Sequence, residues 1–228
     1  EAGLDVTAVG VRERGRKVHA VRTDVTKAAD IQHMIDSAVT AFGRIDVLVN
    51  NAGVDIVGSV VDYPGVVVSS PRPEITVEGW DTVMDTNLKS AFLACQMVGK
   101  HMLEQKSGRV INIGSVEGST GKLLGDSAYA ASKAALAHFS RLVALEWAPF
   151  GVTVNCLAPG LFWTDVWQGA FPTADGKERA QAAHRPKIPM GYWGELRDVA
   201  LLAVFLASDA AKYITGQTVN VDGGYVMH

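Results

Sequence analysis

Two stretches decide the fold: Arg109-Val110-Ile111-Asn112-Ile113-Gly114-Ser115 and, thirteen residues further on, Tyr129-Ala130-Ala131-Ser132-Lys133. The first reads as an apolar, β-branched strand that ends on a small hydroxyl. Open parallel sheets bind ligands beyond the carboxyl ends of their strands, and Ser115 stands at that place. The second stretch puts Tyr129 and Lys133 at i and i+4 of a helix, on one face. A free phenol titrates near pH 10, so bringing it to neutrality requires roughly 4 kcal/mol of preferential stabilisation of the phenolate. A neighbouring ammonium supplies part of that.

Outward from this core, short apolar runs alternate with longer amphipathic ones, the pattern of repeated βαβ units. The pattern predicts strands at about 5–9, 18–22, 45–49, 109–113, 152–156 and 217–221, and helices at about 27–42, 76–104, 127–148 and 195–207. Ile31, Met34, Ile35, Ala38, Val39 and Phe42 mark one helix face, which Gly43 ends. The expected fold is α/β: one domain over 1–228, a doubly wound parallel sheet with helices on both faces. Only 10–17 separate the first two expected strands, whereas a parallel crossover takes about 10–12 residues or more. The sequence therefore predicts missing residues around Gly10. The chain opens Glu1-Ala2-Gly3-Leu4, without an initiator Met, and reads as a helix tail entering a strand, so further residues are expected before Glu1.

Two segments fit no regular unit. Residues 54–73, with Pro64-Gly65 and Pro71-Arg72-Pro73, read as a surface insertion or hairpin. Residues 161–194 carry Phe162, Trp163, Trp167, Phe171, Tyr192 and Trp193, and read as a long irregular lid that lines a substrate site.

Composition excludes several classes of function. With 21 basic and 24 acidic residues in 228, the net charge is −3, and no block of like charge favours nucleic acid or an anionic membrane as partner. The longest apolar run, Val199 to Ala207, falls far short of the ~20 residues that span a bilayer. Cys95 and Cys156 are isolated and apolar in setting, which predicts buried thiols and a reducing, cytoplasmic compartment. His19, His33, His101, His138, His184 and His228 have no metal-ligand spacing, and no metal is expected.

Asp24-Val25, the Asn50-Asn51-Ala52-Gly53 turn, Asn87, Ser115, Tyr129 with Lys133, Asn155 to Gly160 with Thr164, and Ile214 to Gln217 leading to Val221-Asp222-Gly223-Gly224 follow one another in a fixed order. In that order the chain resembles the short-chain dehydrogenase/reductase family over essentially its whole length apart from the insertion 54–73 and the lid 161–194. The resemblance implies a Rossmann-type fold and an oxidoreductase that moves a hydride between NAD or NADP and a secondary alcohol or ketone. It implies Tyr129 as general acid and base, Lys133 lowering its pKa and binding the nicotinamide ribose, Ser115 holding the substrate oxygen, and Asn87 holding a relay water. Asp24 and Val25 match adenine contacts, Asn51, Ala52 and Gly53 line the cofactor, and Pro159, Gly160, Phe162 and Thr164 wrap its nicotinamide end. A homotetramer built on the helices at 76–104 and 127–148 is also implied.

Three departures qualify the match. The glycine-rich phosphate turn of the family does not occur in 1–228 and would have to precede Glu1. Gly10 occupies the expected end of the strand 5–9, where NAD and NADP are told apart. Phe162 replaces a smaller aliphatic residue. The first of these motivates an alternative, a non-catalytic dehydrogenase-like scaffold that binds a ligand or protein.

Overall fold

The computed structural model describes residues 2–63, 73–121 and 126–227. Four parallel strands form its sheet in the order β1 (Val47–Asn50), β2 (Gly108–Ile113), β3 (Val152–Pro159), β4 (Thr218–Val221). Val47 pairs with Arg109, Gly108 with Val152, and Cys156 with Thr218.

Successive side chains of a strand face opposite sides, and each side meets its own helices. Leu48, Val110, Val152 and Val154 pack with Ile31 and Ile35 of α2 (Ala28–Phe42), Cys95 and Val98 of α4 (Ser90–Gln105), and Val143 and Trp147 of α5 (Ser127–Trp147). On the other side Ile111 and Leu157 meet Leu206 of α8 (Leu196–Ala207) and Ala211. The sheet is thus doubly wound. The inner strands are largely buried because both faces are covered, with Asn112 and Asn155 as buried polar residues among apolar ones.

The expected helix over 76–104 is one column in three parts. α3 (Val77–Met84) starts at Thr76, whose hydroxyl accepts from Gly79 N at 3.0 Å; a π turn follows over Asp85–Lys89, and α4 completes the column. Such π bulges recur at functional sites, and Asn87 lies in this one.

The amino-terminal expectations are corrected. Residues 5–9 are not a strand but the middle of helix α1 (Ala2–Glu13). Val6 and Val9 suggested a strand by β-branching, yet Val6 is exposed while Ala8 is buried, a helical distribution. Gly10 sits inside this helix, where its carbonyl accepts from the Arg14 guanidinium at 2.6 Å, so residues 2–17 hold no strand-to-strand crossover. Gly10 is accordingly not the strand end at which NAD and NADP are distinguished. Residues 18–22 have no strand partner among the described residues. β1 is an edge strand of the described sheet, with Val47 and Val49 39% and 48% exposed.

The insertion leaves and returns at one place. Ser59 N donates to Pro73 O at 3.0 Å and Ile75 N to Ser59 O at 2.9 Å, while Gly58 bridges to Asp126. Pro64-Gly65 and Pro71-Arg72 lie outside the described residues. The segment 161–194 is not structureless: it holds α6 (Asp165–Ala170) and α7 (Gly176–His184). Cys95 and Cys156 are both free and buried, as expected, and burial pushes their thiols up to about 12 and about 11. Among the described residues no helix is long and apolar enough to cross a membrane.

α4 and α5 approach closely at Gly99, where a Cβ would lie 2.6 Å from the Trp147 ring. Gly99→Val should therefore destabilise the fold by about 1–3 kcal/mol in urea unfolding, despite the better helix propensity of valine.

Candidate active site

Adjacent strands deliver the site at their carboxyl ends. β1 runs into Asn51-Ala52-Gly53, β2 into Gly114-Ser115 and β3 into Gly160. Beneath them Asn50 Nδ2 donates to Asn112 Oδ1 at 2.7 Å, and Asn112 Nδ2 to Ser140 Oγ at 2.8 Å, joining β1, β2 and α5. At Gly114 a Cβ would meet Cys156 Sγ at 2.6 Å, so only glycine lets the chain pass there to Ser115.

Ser115 caps the short turn Val116–Gly118 by accepting from Glu117 N at 3.2 Å. Gly118 presses this turn onto α5, where a Cβ would lie 2.8 Å from Ala134 N. The packing brings Ser115 into hydrogen-bond contact with the Tyr129 phenol. Burial pushes that phenol up, the Ser115 hydrogen bond pulls it down, and the carboxylates of Asp55, Glu117 and Asp126 push it up further.

Lys133 is buried, with Nζ 5.5 Å from the centre of the Tyr129 ring and donating to Ile113 O at 2.8 Å. Burial lowers its ammonium to about 8. Gly53 stands beside it: a Cβ there would be 3.4 Å from Lys133 Nζ and 3.3 Å from Asn87 Oδ1. The Asn87 side chain accepts from Val54 N at 2.8 Å and donates to Val54 O at 2.9 Å and to Ser132 Oγ at 3.0 Å. The structure thus brings Asn87, Ser115, Tyr129 and Lys133 together.

Val25, Asn51 and Ala52 line one cavity with Asn87. The Asp24 carboxylate accepts from Thr26 Oγ1 and N at 2.7 and 3.0 Å and pairs with Lys27 at 3.0 Å. Thr26 and Lys27 hold it at about 2. Gly160 faces Asp222, whose Cβ would be 2.7 Å from an added Cβ. Phe162 is buried in a bridge to Gly194, its ring filling the space of a side chain at that glycine. Thr164 is exposed at the start of α6.

The sequence reading missed Ser132, Asp55, Glu117 and Asp126. Spacing held a signal for three of them: Glu117 lies two residues after Ser115, Asp126 three before Tyr129, and Ser132 one before Lys133. Asp55 follows Val54, which Asn87 clamps from 33 positions away in sequence, a contact with no local signature.

Because Lys133 falls to about 8 from 10.5, the folded protein binds fewer protons than the unfolded chain between those values, and stability rises with pH there. Below about pH 8 the full cost of burying the ammonium is present. Lys133→Met removes this dependence, so the stability of wild type relative to the variant should increase from pH 8 towards pH 10.5, read by urea unfolding across that range.

Residues 4–226 match the family model described as enoyl-(acyl carrier protein) reductase. A 3-oxoacyl-[acyl-carrier-protein] reductase of Synechocystis sp. is 39% identical over 226 residues, covering 98% of this chain and 82% of that protein. The 3beta-hydroxysteroid dehydrogenase 1 of Eggerthella lenta is 37% identical over 230 residues, covering all of this chain and 81% of the relative. A crystal structure of a short-chain type dehydrogenase/reductase from Mycobacterium marinum superimposes with a TM-score of 0.86 at 30% identity, over 99% of this chain and 82% of that one. With the doubly wound sheet and the gathering of Ser115, Tyr129 and Lys133 at its carboxyl edge, these matches show that the chain belongs to the short-chain dehydrogenase/reductase family.

Proposed function

We propose that this NAD(P)-dependent oxidoreductase interconverts a secondary alcohol and a ketone with Tyr129 as its general acid and base. The observation that carries this reading is the setting of the phenol, with the Ser115 hydroxyl as its hydrogen-bond partner and Lys133 Nζ 5.5 Å from the ring centre. The named relatives, among them an NAD-dependent glycerol dehydrogenase of Listeria innocua 32% identical over 98% of this chain, are reductases and dehydrogenases. None favours the non-catalytic scaffold.

The residues present suit the cofactor. Lys133 Nζ gives one of its three hydrogens to Ile113 O and keeps two for ribose hydroxyls. Gly53 leaves room beside it, and Val25, Asn51 and Ala52 wall the adjoining cavity. Gly160 lets the chain at the end of β3 run close to Asp222, with Phe162 and Thr164 following. When bound, the nicotinamide supplies or accepts the hydride.

In reduction, Tyr129 donates its phenolic proton to the ketone oxygen as negative charge develops there, and Ser115 donates a hydrogen bond to the same oxygen. Lys133 stabilises the phenolate left behind. Burial and the surrounding carboxylates keep the phenol protonated at neutral pH, which suits it to act as an acid. Oxidation needs the phenolate, whose fraction grows as pH rises. Asn87 is a positioning residue: its side chain is committed to Val54 and Ser132, so a relay water would be held by its main-chain carbonyl.

The segment 161–194 acts as a substrate lid, with Trp163, Trp167 and Trp193 beside Val116, the neighbour of Ser115. Two exposed apolar faces support assembly into a homotetramer: Phe92 of α4 with Leu142 and Leu145 of α5, and Leu201, Val204 and Phe205 of α8. The free buried thiols fit a cytoplasmic setting.

Tyr129→Phe should lower kcat/KM by about 10²–10⁴ at unchanged melting temperature; retained turnover would remove Tyr129 from the mechanism. Leu145→Asp should lower the sedimenting mass from tetramer towards dimer or monomer.

A further inference from the structure

The segment 161–194 closes on itself where Gly194 N donates to Leu161 O at 3.1 Å, and beside that closure it rests twice on one turn, the residues that follow β4. On the outgoing side Gly160 N donates to Val221 O at 2.9 Å, and a Cβ on Gly160 would lie 2.7 Å from Asp222 Cβ. On the returning side Met190 N donates to Gly223 O at 3.1 Å, and a Cβ on Gly223 would lie 2.8 Å from Ile188 Cγ2. Tyr225 is buried in the cluster of Leu161, Ala180, Ile188 and Trp193, which also holds Val116, the neighbour of Ser115. One turn thus seats the start, the end and the interior of the segment.

A single side chain shapes that turn. Asp222 Oδ1 accepts from Gly224 N and Oδ2 from Val226 N, each at 3.0 Å, while the main-chain oxygen of Asp222 accepts from Tyr225 N at 3.2 Å. Gly223 and Gly224 have φ of 62° and 89°, a path that residues with a side chain rarely follow. Backbone N–H groups bonded to an ionised carboxylate form the stronger class of hydrogen bond. Both carboxylate oxygens are engaged by the turn itself, so Asp222 acts through what the turn carries.

We propose that Asp222 is a positioning residue for the dinucleotide: by holding the turn after β4 in shape, it fixes the chain that leaves Gly160 against the nicotinamide end of the cofactor. The proposal rests on the reading that Pro159, Gly160, Phe162 and Thr164 wrap that end.

Titration calorimetry of the full chain tests it with NADH against ADP-ribose, which lacks the nicotinamide, and with NADPH against 2′-phospho-ADP-ribose. Asp222→Ala should weaken the reduced dinucleotide about tenfold or more, the scale of a lost hydrogen bond to a charged group, and leave its nicotinamide-free counterpart within about twofold. Asp222→Asn keeps the size and one acceptor oxygen, and should fall between wild type and Asp222→Ala. Amide hydrogen exchange of Asp222→Ala should quicken over 160–194 and stay unchanged over β2 and α5. Equal weakening of both ligands, no weakening of either, or exchange raised equally throughout the chain overturns the proposal. Where Asp222→Ala fails to fold, Asp222→Asn carries the same comparison. Wild-type exchange tests the reading beneath: the reduced dinucleotide should slow exchange over 160–164 more than its nicotinamide-free counterpart does. Equal slowing overturns that reading and the proposal with it, whereas the expected slowing together with unaffected Asp222 variants overturns the proposal alone.

Discussion

The hydrogen bond from the Lys133 ammonium to the Ile113 carbonyl ties the catalytic helix to the end of the central strand. Few side chains are costlier to bury than a lysine, and this one is 96% removed from water. The carbonyl that receives it belongs to the last residue of β2, one position beyond the end of the pairing with β1 at Asn50 and Asn112. The neighbouring strand continues to Pro159, and Gly114 N crosses to Leu157 O at 2.6 Å. Strand length, helix placement and the position of the phenol are therefore one constraint. Shifting α5 by a single residue would turn Tyr129 and Lys133 away from Ser115 by about 100°.

A second polar layer keeps that constraint from relaxing. Asn50, Asn112 and Ser140 hold β1, β2 and α5 together just below the site, and Asn155 does the same for β3 by donating to Ile214 O at 2.8 Å and accepting from Gln217 N at 3.1 Å. Asn112 and Asn155 are buried and Asn50 half-buried, all with partners in place, the condition under which a polar network rigidifies a core. Asn87 extends the layer upward into the loop after β1. The parts that touch no ligand thus fix the geometry of the parts that would.

Much of this was legible in the sequence. The strands of the described sheet and the long helices emerged from periodicity because each buries an apolar face, and the Tyr129 and Lys133 pair emerged because helical spacing is local. The errors came where a local signal had two meanings. Val6, Val9 and Val11 satisfy β-branching as well as a helix, and only the burial of Ala8 separates the two. The two helices inside 161–194 were hidden because their inward faces pack on one another through Trp167, Phe171 and His184 rather than on the sheet, so no long apolar stripe marks them. The clamp of Asn87 on Val54 joins residues far apart in sequence and leaves no pattern along the chain.

The insertion after β1 departs from the domain and rejoins it through hydrogen bonds at Ser59, beside the bridge from Gly58 to Asp126. Because these bonds lie at its root, the loop beyond them is closed whatever its length. Doubling it would add only about 0.6 kcal/mol of closure entropy. The root also lies beside the candidate site, since Asp126, bridged to Gly58, acts electrostatically on the Tyr129 phenol. Evolution can therefore lengthen, shorten or exchange this loop at almost no cost to folding while reshaping what the enzyme admits, which makes the residue pair Gly58 and Asp126 a fixed hem from which new specificities can be cut.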